Sequence, residues 1–313
     1  DVLQVEESVG GNMLTVKGSN FSIIFDKKTG LLQNYLFEHT PLFNSAWVPN
    51  FWRPLTDNDR LGKPNYAKYL AMFSPEQLSK SMKVESFVLK EQLPDRVRIE
   101  AVLLVPNGDM TGTLLWKGVG LGRLRIEYII DQNGTIGYEA EIHNTRIMPR
   151  FGLQFSLSPE FGTTISYYGR GPHENYLDRK YSAHFGEYHT DLAAFQNPYV
   201  YPQEFGNRCD TKWLELGNPD SCVLRFCGVP TFNWSVWPYT MQNLDTAKHI
   251  NELDFAANIN VNIDGEKMGV GGYDNWSMRA HPIEAHLLMP ALGRMKFQLK
   301  ISRISSYFKE NVV

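Results

Sequence analysis

"KVESFVLKEQLPDRVRIEAVLLV", residues 83–105, is two alternating runs of apolar and polar residues divided by Pro94-Asp95. A period of two broken by a turn pair reads as strand, turn, strand. The same design recurs in both directions along the chain. "FSIIFDKKTGLLQNYLF" (21–37) bends at "DKKTG", with Gly30 at the left-handed position a glycine adopts without steric cost. "TGTLLWKGVGLGRLRIEYII" (111–130) repeats it around a glycine-rich bend, and "TIGYEAEIHN" (135–144), "RFGLQFSLS" (150–158) and "MKFQLKIS" (295–302) continue it. Two segments read as helix. Ser74-Pro75-Glu76-Gln77 offers an N-cap, a proline at the first position and a capping-box glutamine. "DTAKHINEL" (245–253) is the second. Strands this frequent without intervening helices predict an all-β sandwich. No linker or fixed-period repeat divides the chain, so one domain is expected over 1–313, with 307–313 a frayed tail.

The 313 residues are 42% hydrophobic and 21% charged, enough for a sizeable core. A formal charge of −3 with no dense Lys/Arg cluster argues against a nucleic-acid partner. No apolar run approaches the roughly 20 residues that cross a bilayer, so no membrane partner is expected. Cys209, Cys222 and Cys227 form neither a disulfide framework nor a zinc knuckle and read as free thiols. Aromatics at 13% suit strands and also suit stacking on sugar rings. The first residues carry no signal-peptide pattern and no initiator methionine, which points to a processed or excised piece. The compartment, bacterial cytoplasm or periplasm, is not written in these residues.

Two short motifs invite misreading. "GVGLG" (118–122) lacks the Lys-Ser/Thr of a phosphate loop. "HENYL" (173–177) has Leu177 where a zinc helix needs its second histidine, so no metal site is expected. No G-x-S-x-G elbow is present. Four polar segments carry more. "FWRPLTDNDR" (51–60) sets Arg53, Asp57, Asn58, Asp59 and Arg60 behind two aromatics, too polar for a strand core; the plain structural reading of Asp57 and Asn58 is an Asx-rich turn. "YYGRGPHENYLDRK" (167–180) places Arg170, His173, Glu174, Asp178 and Arg179 in a loop between strands, with an ion-paired surface loop the better reading of Asp178–Arg179. "YPQEFGNRCDTKWLEL" (201–216) brings Glu204, Asn207 and Arg208 to the start of a strand, where a role in joining sheets suits them as well as a ligand role does. "VNIDGEKMGVGGYDNWS" (261–277) reads as a hairpin with "DGEK" as turn, then a glycine run that lets another surface approach closely. Trp276, flanked by Asp274, Asn275 and Ser277, is expected to be presented from that loop rather than buried.

These four segments, in this order, resemble the C-terminal domain of the large bacterial β-galactosidases of glycoside hydrolase family 2, and the resemblance covers nearly the whole chain. It implies a large antiparallel β-supersandwich, galactose-mutarotase-like. In that family both catalytic glutamates of the retaining double displacement lie in a preceding TIM barrel. No such βα alternation is present here, so no catalytic residue is expected in this chain. The resemblance assigns Trp276 to the wall of the galactoside pocket and leaves Asp274 as loop support. Arg53, Asp57, Asn58, Asp59, His173, Glu174, Asp178, Arg179 and Glu204 fall to loop support or to the barrel interface. The implied partners are the barrel portion, in the same chain or as a large subunit, and a galactoside. No cofactor is expected in this chain, Mg²⁺ and Na⁺ sites belonging with the barrel, and family enzymes are often multimers. Two other classes fit a mutarotase-like fold, an aldose 1-epimerase and a stand-alone carbohydrate-binding module. For the epimerase, His173-Glu174 is the adjacent His/Glu pair in that order.

Overall fold

Alternation of apolar and polar residues produces antiparallel strands throughout a computed structural model that describes residues 2–61, 82–105, 122–143, 148–197, 199–272 and 293–304. One sheet has five strands in chain order: β1 (Gln4–Glu7), β2 (Met13–Lys17), β3 (Phe21–Asp26), β4 (Leu31–Phe37) and β5 (Thr40–Pro41). The other has twelve among the described residues. They are β6 (Val48–Asn50), β7 (Lys83–Gln92), β8 (Arg96–Leu104), β9 (Arg123–Asp131), β10 (Ile136–Ile142), β11 (Arg150–Leu157), β12 (Thr164–Gly171), β13 (His184–Thr190), β14 (Arg208–Gly217), β15 (Cys222–Trp237), β16 (Ile259–Lys267) and β17 (Gly293–Arg303). Their main path runs β13-β12-β14-β15-β17-β10-β9-β8-β7, with β16, β11 and β6 branching from β15.

The hairpins at 21–37 and 83–105 form as the alternation requires, with Gly30 at φ 71°. Inward side chains of the five-stranded sheet meet the large sheet at Phe25 and Tyr128, whose rings sit edge to face 5.0 Å apart. Trp47 is fully buried among Phe43, Tyr138, Phe155 and Phe297. On the opposite face of the large sheet, cross-strand charges pair, as Arg98 with Glu127 and Lys296 with Glu139. Pairs like these, with at least one partner in water, contribute little each.

Strand β15 is sixteen residues long and, besides pairing with β14 on one edge, serves two partners in succession on the other. Cys222–Gly228 pairs with β17 and Asn233–Trp237 with β16. Pro230, which has no N–H to donate, falls in the unpaired stretch between.

Two expectations change. "DGEK" is not a turn: Asp264 to Lys267 continue β16 against β11, across an irregularity at Phe151/Gly152. Asp264 faces inward to Arg150, and an inward-facing ion pair holds a strand straight where the dipeptide Asp-Gly suggests a bend. Three short helices occur among the described residues: α1 (Asp57–Leu61), α2 (Leu192–Phe195) and α3 (Met241–Thr246). The helix expected over 245–253 is displaced toward the N-terminus. Thr240 caps α3 by accepting from the Asn243 amide, and only a 3-10 turn, Ile250–Glu252, follows. The helix expected from Ser74, the first half of the 111–130 hairpin and the tail 307–313 lie outside the described residues.

Candidate functional site

The backbone of Met268 to Gly271, where β16 ends and the glycine run begins, is gripped from three sides. Arg53, fully buried, donates from Nη1 to the Met268 carbonyl and from Nη2 to the Gly269 carbonyl, each at 2.8 Å. Asn58 Nδ2 donates to the Val270 carbonyl at 2.7 Å. Asp178 accepts from the amides of Val270 and Gly271, at 3.2 and 2.7 Å. Gly269 is required here: a Cβ on it would stand 2.3 Å from Asp178 Oδ2. Gly269→Ala is expected to destabilise the chain by roughly 1–3 kcal/mol, the usual cost of overpacking, as read from urea melts.

The gripping residues are held in turn. Asp59 takes Arg53 Nη2 on both carboxylate oxygens at 3.2 Å, with both side chains fully buried. Asp59 also closes a capping box on α1, accepting from the Thr56 amide while its own amide donates to Thr56 Oγ1. The expected Asx-rich turn at Asp57–Asn58 is therefore the first turn of a helix. Asp57 itself is exposed and exchanges contacts with Gln203.

Asp178 and Arg179 do not pair. Arg179 pairs with Glu174, as does the Tyr199 hydroxyl, while the Gly206 amide donates to the second oxygen of Glu174 at 2.7 Å. Side chains of consecutive loop residues point apart, so the ion pair closes over five residues instead of one. Burial raises the pKa of the Glu174 carboxyl, yet the Gly206 amide, Tyr199 and Arg179 together hold it below the ordinary carboxylate value. His173 turns the other way, to the Ser182 hydroxyl at 3.1 Å, so His173 and Glu174 do not converge on one point.

A second buried network backs the first. Arg150 donates to Asp264 at 2.8 Å, and Lys267 pairs with Glu204 and lies 3.7 Å from Asp264. All four side chains are at most 2% exposed. Gly152 is what admits Asp264, whose Oδ1 would lie 1.9 Å from a Cβ there. Burial pushes the Asp264 carboxyl up and the Lys267 amine down in pKa. Sequence reading passed over Arg150, Asp264 and Lys267; the available signal was charge at positions where the alternation calls for inward residues.

A cavity of about 410 Å³ opens beside this stem, bounded in part by Asp57, Glu174, Tyr199, Glu204 and Val270. Among the described residues no three His, Cys, Asp or Glu side chains are arranged to hold a metal ion. Trp276 and Asp274 lie outside the described residues, immediately beyond the gripped stem.

What the fold and the site define is an antiparallel β-sandwich whose buried charges brace a loop stem. The chain belongs to the beta galactosidase small chain family, which it matches over residues 17–301. It is 32% identical over 272 residues to the beta-galactosidase of Priestia megaterium, which covers 86% of this chain and 25% of that protein. The beta-galactosidase of Lactobacillus delbrueckii subsp. bulgaricus is 30% identical over 275 residues, 86% of this chain and 25% of its own. The chain thus spans about a quarter of the length of these curated relatives. Among solved structures, galactose 1-epimerase from Lactobacillus acidophilus aligns over 96% of this chain and 98% of its own at TM-score 0.48 and 9% identity.

Proposed function

We propose that this chain is the small-chain component of a β-galactosidase that removes terminal non-reducing β-galactose by a retaining mechanism, and that it is inactive alone. The observation that carries this reading is the family match over 17–301 together with the convergence of Arg53, Asn58 and Asp178 on the stem leading to Trp276. An arginine, an asparagine and an aspartate, each buried or half-buried, spent on four backbone residues make sense if the segment beyond them must be delivered to a fixed place. Trp276 then offers an apolar ring to the galactoside, while the two catalytic glutamates, and any Mg²⁺ or Na⁺, belong to the remaining portion of the enzyme.

Aromatic contacts add roughly 0.5–1.5 kcal/mol beyond area burial, which serves binding and not bond cleavage. In the assembled enzyme Trp276→Ala is expected to raise KM several-fold with kcat little changed; an unaltered KM removes the assignment. The reading as a whole is tested by mixing this chain with the remaining portion and following a chromogenic β-galactoside. Activity is expected only in the mixture, and hydrolysis by this chain alone contradicts the proposal.

A further inference from the structure

The large sheet opens where the start of β14 meets the middle of β15, and a cavity of about 230 Å³ lies there. Between Arg208, opposite Trp234, and Thr211, opposite Phe232, β14 has two residues where β15 has only Asn233. Such a bulge interrupts regular pairing and re-aims side chains. Asp210, within it, has φ 54°, a left-handed conformation that residues other than glycine seldom adopt and that gathers at ligand sites. On its other edge β15 pairs with β16 only from Asn233 onward, so Gly265 and Glu266 have no partner on β15. Bulge and divergence leave room between the strands, and Leu177 and Lys180, in the loop between β12 and β13, border it.

The groups facing that room are reachable and only partly used. The side chains of Lys180 and Asp210 are 22% and 35% exposed, and Asn233 and Glu266 are half-buried. Arg170 Nε and Lys180 Nζ both donate to Asp210 Oδ2, at 2.6 and 2.9 Å, so Oδ1 stays open as an acceptor. Lys180 keeps two further N–H groups to give. The Asn233 amide side chain makes no hydrogen bond among the described residues, and the Glu266 carboxylate has only the Arg294 backbone beside it. The two acids, Asp210 and Glu266, are matched by two bases, Arg170 and Lys180, while Lys267 on the same wall is spent on Glu204. An anion would find both free-standing cations already on Asp210, and no set of three ligating side chains among the described residues suits a metal ion. A sugar hydroxyl donates and accepts at once, which suits carboxylate acceptors set beside amide and ammonium donors. The apolar C–H face of a pyranose suits Leu177, 43% exposed. The space falls below the roughly 300–1,000 Å³ of drug-sized sites, so one ring fits and two do not. We propose that this opening binds one uncharged monosaccharide in its pyranose form, a site of this chain's own whether or not the chain serves a β-galactosidase. Leu177 precedes and Lys180 follows Asp178, so the bound sugar touches the loop that clamps the Trp276 stem.

The test is a titration of the 313-residue chain followed by amide resonances, and none of its readouts uses β-galactosidase activity. D-galactose, D-glucose or both, at millimolar concentration, are expected to shift the backbone amides of Asn233 and Glu266 saturably. Galactitol, an acyclic polyol without a ring face, is expected to bind at least tenfold more weakly. Asn233→Ala and Glu266→Gln are each expected to weaken the sugar at least tenfold, with amides away from the cavity reporting that the variant has folded. Lys180→Met is expected to do the same and, being in a loop, keeps the test decisive should the strand variants fail to fold. Putrescine is the rival probe. If it moves these resonances and the sugars do not, Glu266 seats a cation and the proposal falls. It falls as well if galactitol matches the sugars, if the shifts survive all three substitutions, or if tens of millimolar sugar moves neither resonance.

Discussion

Arg53→Met is expected to cost the chain about 3–5 kcal/mol, the usual loss when one partner of a buried ion pair is removed. The reason lies in what stays behind: the Asp59 carboxylate, fully buried, and the Met268 and Gly269 carbonyls lose their donor together. Arg53→Lys should recover only part of the loss, because one ammonium cannot replace a planar fork directed at two carbonyls and a carboxylate. The double variant Arg53→Met/Asp59→Leu should be more stable than the sum of the singles, since it takes both charges out of the interior. Urea denaturation of the four chains gives the comparison. Strict additivity would show that the pair is not coupled and that the clamp is incidental.

Asp264→Ala carries a similar expected cost of about 3–5 kcal/mol, with a different dependence on pH. Removing this carboxylate leaves Arg150 and Lys267 facing Glu204 alone, two cations against one anion. Burial already depresses the Lys267 amine below its ordinary 10.5, so the unfolded chain binds the extra proton more readily than the folded one. Stability therefore rises with pH through this group over the range below 10.5 in which the folded amine has lost its proton and the unfolded one has not. Loss of Asp264 deepens the depression, so the variant should recover more stability than the wild type as the pH is raised over that window. Equilibrium unfolding at several pH values reads it directly, and parallel curves for the two chains would refute the coupling.

Most of the strands were legible because half-buried strands must alternate, and the turns at Gly30 and Pro94-Asp95 carry their own chemistry. The three-sided grip was legible only as polar residues without an address. Asp178 reaches Gly271 across 93 positions and Arg53 reaches Gly269 across 216, separations that no local pattern encodes. Asp178 beside Arg179 even suggested the wrong pair, since adjacency in sequence is a poor guide to contact in a loop. Asp264-Gly265 misled for a related reason. The dipeptide favours turns, and only the pairing of Asp264 with Arg150, 114 residues away, keeps it in a strand. The α3 boundary failed more simply: Asp245 looks like a helix start, but its carboxylate accepts from Leu55 and Arg60, and Thr240 does the capping.

The position of β17 has a consequence for how this polypeptide is made. It lies between β15 and β10 and is the last described strand to leave the ribosome. Until then the nascent chain carries two unpaired strand edges, open to any neighbouring chain that can pair with them. A holdase chaperone that covers those edges until β17 arrives should therefore raise the soluble yield.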